Sequence, residues 1–160
     1  MNAVAIMMVC IIVFSHPFSV KGVNPNDAES VENRANSVGL SESEYQLFAD
    51  VVEAESDRSD DIEGRIYIAL TIWNRVNDSR FPNSVNEVLN QSGQFSTVHN
   101  GVSVCSASEL SYEAVIEAYE WIESGDAPNV LFFNCIGYNY GEPYDYIGGN
   151  YFMTLEVLDE

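Results

Sequence analysis

The sequence predicts a mostly helical α+β domain with a small β-sheet late in the chain. Apolar residues recur at helical spacing in four stretches between residues 41 and 125. Two short aromatic and aliphatic runs follow, residues 130–134 and 150–157, each with strand character. The chain has 160 residues, 46% of them apolar, which suits one domain with a packed core.

The N-terminus stands apart. Residues 3–14, AVAIMMVCIIVF, form an unbroken apolar run, too short to cross a bilayer as a helix. That length fits the hydrophobic region of a secretory signal, with Val20 and Gly22 preceding a cut ahead of Val23. A buried first strand is the alternative. The expectation is a signal peptide over residues 1–22, a polar linker over 23–40, and the folded domain over 41–160. The product would be secreted or periplasmic, or carried by a phage, and monomeric, with no stable membrane span once the signal is gone.

The elements of the domain follow in order. Ser41 and Glu44 have capping-box spacing, and Leu47, Phe48, Val51 and Val52 continue as a helical stripe. A second helix covers DIEGRIYIALTIWNRVN, with Ile62, Ile66, Ala69, Leu70, Trp73 and Val76 inward. It is hydrophobic around much of its circumference, as the central helix of a domain is. A turn and a short helix follow in RFPNSVNEVLN, with Val85, Val88 and Leu89 inward. SGQFSTVHNGVSVC has the Gly, Ser and Asn of a loop or short hairpin. Ser106 and Glu109 repeat the capping-box spacing before a fourth helix, carried by Leu110, Ala114, Val115, Ala118, Trp121 and Ile122 and stopped by Gly125. Residues 130–134 read as a strand, 135–149 as a Tyr- and Gly-rich loop, and 150–157 as a last strand.

Charge and cysteine content exclude several functions. Asp and Glu number 25 against 6 Lys and Arg, a formal net charge of −19. Such a surface repels nucleic acid and anionic lipid. Cys105 and Cys135 remain after signal removal, open to a disulfide or to two separate thiols. Neither belongs to a CxxC or lies near clustered histidines, so no metal site and no cofactor are expected.

One pair of residues is a candidate for chemistry. Glu53 and Glu55 sit two apart in LFADVVEAES. At about 100° per residue, Glu55 falls in line with the apolar stripe and Glu53 nearly opposite, among polar positions. Glu53 is therefore expected in solvent. Glu55 is a carboxyl on a face that should be buried, where desolvation would raise its pKa and keep it protonated as a general acid requires; the alternatives are that the helix ends there and Glu55 turns to water, or that Arg58 or Arg75 pairs with it.

The same segments resemble the cell wall hydrolase family of the spore-cortex-lytic enzymes SleB and CwlJ. The resemblance rests on Glu55-Ser56, Gly64, Asn74-Arg75-Val76, Phe81-Pro82, Val85 and Val88, and Gly93-Gln94-Phe95-Ser96, in that order, and spans about residues 44–152. It implies a fold similar to goose-type lysozyme and the lytic transglycosylases, peptidoglycan as the partner, and a catalytic glutamate at Glu55. Asn150 stands where family members often carry a histidine. The implied activity is glycan-strand cleavage by a single-glutamate lytic transglycosylase; a water-using muramidase is the enzymatic alternative, with Asp57, Asp60 or Asp61 as second carboxylate. A non-catalytic peptidoglycan-binding protein is the other. Gln94, Phe95 and Ser96, with Tyr138 and Tyr144 of the late loop, are the candidate sugar-binding residues. Gln94 has a plainer alternative as a hydrogen-bonding brace of its loop, and Asn74 and Arg75 as residues that finish the central helix.

Overall fold

The computed structural model describes residues 28–56, 61–95, 98–99, 102–103 and 105–155. Among these, the chain order is α1 (Ala28–Ser37), α2 (Glu42–Glu55), α3 (Ile62–Asn77), α4 (Val85–Leu89), β1 (Val98–His99), β2 (Val102–Ser103), α5 (Glu109–Ser124), β3 (Phe132–Asn134), β4 (Glu142–Ile147) and β5 (Asn150–Thr154). The expected signal peptide lies outside the described residues. No described helix is long and apolar enough to cross a membrane.

Three helices enclose the core. α2 begins with the expected capping box: the Ser41 hydroxyl accepts from the Glu44 amide, and the Glu44 carboxylate accepts from the Ser41 amide. Leu47, Phe48, Val51 and Val52 are buried as the periodicity predicts. α3 is buried continuously from Gly64 to Trp73, which explains its hydrophobic circumference. It lies against both α2 and α5 and carries the β-sheet at its side. Asp61 caps it, accepting from the Glu63 amide at 3.0 Å. Buried donors tie the helices together: Trp73 Nε1 donates to the Val115 carbonyl at 3.2 Å, and Tyr45 donates to the Tyr112 carbonyl at 2.8 Å.

The polar stretch expected as a linker is partly a helix. α1 and the turn after it place Ala35 and Val38 in the core, and Arg34 forms an ion pair with Glu109 of α5. Two small apolar contacts and one ion pair leave no hydrophobic stripe in the sequence, so only tertiary packing defines this helix.

α5 starts at Ser108, not at the expected Ser106. The Ser108 hydroxyl does not cap its own helix; it donates to Glu53 instead. Gly125 ends α5 in the left-handed conformation, as predicted. Cys105 and Cys135 stand as two separate thiols, so the disulfide alternative does not hold.

The late sheet is antiparallel in the order β3-β5-β4. The expected loop over residues 135–149 therefore contains a strand, β4. Ile147 pairs with Asn150 across Gly148 and Gly149, whose φ angles are 55° and 86°. Positive φ at both central residues defines the tight hairpin turn that Gly-Gly encodes. Phe152 is fully buried and packs on Tyr67 of α3, its ring centroid 5.3 Å away, which fixes the sheet to the helical core.

That turn meets α3 backbone to backbone. A Cβ added at Gly64 would lie 2.8 Å from the Gly148 Cα. Gly64→Ala gains roughly 1 kcal/mol of helix propensity but forces this contact apart, an overpacking cost of about 1–3 kcal/mol. Its urea midpoint is expected to fall below that of the wild type; an unchanged or higher midpoint would show that the turn yields without cost.

Candidate active site

The last turn of α2 presents its two glutamates to different surroundings, and not as the helical wheel suggests. Glu53 is buried and fully engaged. Its carboxylate accepts from Arg65 Nη1 at 2.7 Å, from the Ser108 amide and hydroxyl, and from the Ser111 hydroxyl at 2.9 Å. Burial by itself would raise its pKa. The hydrogen bonds from Ser108, Arg65 and Ser111 outweigh burial and bring it down to about 2. The expectation that Glu53 is solvated is thus overturned. The wheel placed it opposite the apolar stripe correctly, but the N-terminus of α5 covers that side.

A sequence signal for this existed. Arg65 sits inside the apolar run of α3 and is 2% exposed. A buried guanidinium requires a buried carboxylate nearby, and Glu53 supplies it. The segment before α5 is strapped to α2 at a second point, where the Ala107 amide donates to Asp50 at 2.8 Å.

Glu55 differs in each respect. It is half-buried, and among the described residues nothing donates to its carboxyl. Burial raises its pKa above the ordinary carboxylate value, and no counter-charge among the described residues offsets it. Asn150 approaches from the hairpin, its Nδ2 3.4 Å from the Glu55 carbonyl oxygen. The start of β5 therefore abuts the end of α2, and the Gly64–Gly148 contact holds it there. Asp61 serves as a helix cap; Asp57, Arg58 and Asp60 lie outside the described residues. No group of His, Cys, Asp or Glu suited to a metal ion occurs among the described residues.

The candidate sugar-binding residues separate into two groups. Gln94 is exposed, and its Oε1 accepts from Arg75 Nη1 at 3.0 Å, the bracing role considered from sequence. Phe95 is buried, its ring 5.8 Å from the Arg75 guanidinium. Ser96 lies outside the described residues. Tyr144 sits at an irregularity of β4 between Pro143 and Asp145 and leans on Tyr67, hydroxyl to hydroxyl at 3.4 Å. Tyr138 packs edge-on against Tyr151, 5.0 Å between ring centroids.

Asn74 and Arg75 do more than finish α3. Asn74 donates to the carbonyls of Pro128 and Val130, both at 2.9 Å, and Arg75 Nε donates to the Leu131 carbonyl at 2.8 Å. Together they bind the approach to β3. The Arg75 guanidinium lies 5.2–5.8 Å from the rings of Phe81, Phe95 and Phe132, and burial lowers its pKa to about 10. It remains charged at neutral pH and joins the Gly-Gln-Phe-Ser loop to the sheet.

Known proteins are similar to this chain in sequence and fold. The spore cortex-lytic enzyme of Oceanobacillus iheyensis is 33% identical over 97 residues, covering 60% of this chain and 34% of that protein. That of Bacillus subtilis is 35% identical over 97 residues, covering 60% of this chain and 31% of that protein. The chain thus spans about a third of the length of these relatives. Among solved structures, the catalytic domain of the Bacillus cereus SleB protein superposes with a TM-score of 0.61 at 28% identity, over 72% of this chain and 93% of that one. The catalytic domain of the germination-specific lytic transglycosylase SleB from Bacillus anthracis gives the same TM-score at 27% identity, over 72% of this chain and 98% of that one. The fold is therefore that of the SleB catalytic domain, a lysozyme-like fold. Residues 59–140 match the Cell Wall Hydrolase family, a span that begins four positions after Glu55. By this match the chain belongs to the Cell Wall Hydrolase family.

Proposed function

We propose that this chain cleaves the glycan strands of peptidoglycan with Glu55 as its single catalytic carboxyl. The observation that carries the reading is the contrast at the end of α2: Glu53 is engaged by Arg65 and two serines, while Glu55 is desolvated, raised in pKa and without a donor to its carboxyl among the described residues. A protonated carboxyl held at the surface of a lysozyme-like fold suits protonation of a glycosidic oxygen. The names of the similar proteins, cortex-lytic enzyme and lytic transglycosylase, agree with it.

The mechanism follows from one carboxyl. Glu55 gives its proton to the bridging oxygen as the bond from that oxygen to the anomeric carbon breaks. The resulting carboxylate then takes the proton of the C6 hydroxyl of the same muramic acid. The C6 oxygen bonds to the anomeric carbon, closing a 1,6-anhydro ring and restoring the acid. No water is consumed. Residues 1–22 would export the enzyme, and its −19 charge suits a wall poor in anionic polymers or a salty medium.

Mass spectrometry of peptidoglycan digested with residues 23–160 tests this reading. Anhydro-muropeptides are expected. Reducing muramic acid ends would replace the transglycosylase with a muramidase. Retained wall binding without any product would replace it with a non-catalytic binder.

A further inference from the structure

The end of α2 is anchored from outside the helix. A helix leaves its last carbonyls without intrahelical donors. The residues after Glu55, Ser56-Asp57-Arg58, contain no glycine to close that end, and the last turn carries no basic side chain. The Ser56 amide donates to the Val52 carbonyl at 3.1 Å, and the Ser56 hydroxyl to the Glu53 carbonyl at 2.9 Å. For the Glu55 carbonyl, the donor among the described residues is Asn150 Nδ2. Asn150 is 7% exposed and shares a face of β5 with Phe152, which packs on Tyr67 of α3. An amide at such a core-facing position carries a desolvation cost that one long hydrogen bond offsets only in part. Its backbone is fixed as well: Asn150 pairs with Ile147 across the tight turn, and Gly148 of that turn rests on Gly64 of α3.

We infer that Asn150 is the positioning residue of Glu55, holding the last turn of α2 against the β4–β5 hairpin so that the carboxyl is placed for proton transfer. This rests on the proposed cleavage of peptidoglycan with Glu55 as the acid. Asn150 acts through the backbone and not on the substrate. The Glu55 side chain moves with its own peptide unit, so a last turn released from its anchor carries the carboxyl away with it. The support runs in one direction: α3 seats the turn at Gly64, the turn sets Asn150, and Asn150 sets the Glu55 carbonyl. A misplacement of about 1 Å in a reacting group costs about 100-fold in rate. The loss falls on kcat, because proton transfer to the leaving oxygen belongs to the transition state and not to the bound ground state.

Asn150→Asp keeps the shape of the side chain and removes the donor; Asn150→Ala removes both. On soluble, uncrosslinked peptidoglycan strands, both variants are expected to lower kcat about 10- to 100-fold with KM unchanged. Hydrogen exchange gives a readout that needs no catalysis. The Ser56 amide, at the end of α2, is expected to exchange about 2- to 12-fold faster in both variants. The Tyr45 amide, in the first turn of the same helix, is expected to keep its rate. Glu142→Gln, at the far end of the hairpin opposite Thr154, is expected to leave kcat and Ser56 exchange unchanged. Wild-type kcat in the Asn150 variants, or an equal fall in Glu142→Gln, overturns the positioning role and leaves the cleavage reading intact. A raised KM at constant kcat also overturns it and assigns Asn150 to substrate binding. If wild type cleaves nothing, the cleavage reading fails, and Ser56 exchange decides the anchor by itself: faster exchange in the variants keeps it, and an unchanged rate removes it.

Discussion

Glu55→Gln is expected to cut the rate of peptidoglycan cleavage by about 100- to 10,000-fold, the range that a positioned general acid supplies. Its melting temperature should match or exceed that of the wild type. The direction follows from the pKa. The folded state holds the Glu55 proton more tightly than the unfolded chain does, so stability is lost as pH rises from about 4.5 through the raised folded value. Above that value the ionised, desolvated carboxylate is a cost, and glutamine removes it. The same shift sets the rate profile: cleavage should decline as pH rises through the folded pKa of Glu55, because the acid form is lost. Turbidity of a wall suspension reads the activity, and thermal unfolding reads the stability. A Glu55→Gln chain that retains activity, or that loses activity only because it unfolds, would remove Glu55 from its role.

Glu53→Gln should do the reverse. It leaves Arg65 buried without the carboxylate that neutralises it, at a cost of about 3–5 kcal/mol. The melting temperature should fall on the order of 10–20 °C, with activity retained per folded molecule at low temperature. The pH dependence gives an independent check. With its folded pKa near 2, Glu53 contributes stability that is complete above the ordinary value of 4.5 and is lost as pH falls from 4.5 toward 2. The acid-unfolding limb of the wild type should therefore be shallower in the variant. Equal melting of the two proteins across this window would show that the network around Arg65 adds nothing to stability.

The sequence revealed what is encoded locally. The cap at Ser41, the stripes of α2 and α3 and the stop at Gly125 lie within a few residues of the elements that they define, and each was readable. α1 and β4 were not. Among the described side chains of α1 and its exit, Ala35 and Val38 are buried, and β4 is exposed along nearly its whole length, so neither shows a hydrophobic period. The Gly-Gly pair that turns β4 into β5 was the available clue to the hairpin. At the candidate site, periodicity singled out Glu55 as a desolvated acid. It misjudged Glu53, because a wheel drawn for one helix contains no information on what another helix covers. The division of the tyrosines was likewise hidden, since it depends on the local irregularity that turns Tyr144 out of register.

The docking of α1 decides where the chain tolerates being cut. A fragment begun at Ser41, the first boundary the sequence suggests, would strip Ala35 and Val38 from the hydrophobic interior and leave Glu109 without Arg34. Such a fragment is expected to express into aggregates, while one begun at residue 23 stays dispersed. The helix that reads as a spacer is then part of the folded domain, and any partner domain fused ahead of it must leave room for its ten residues.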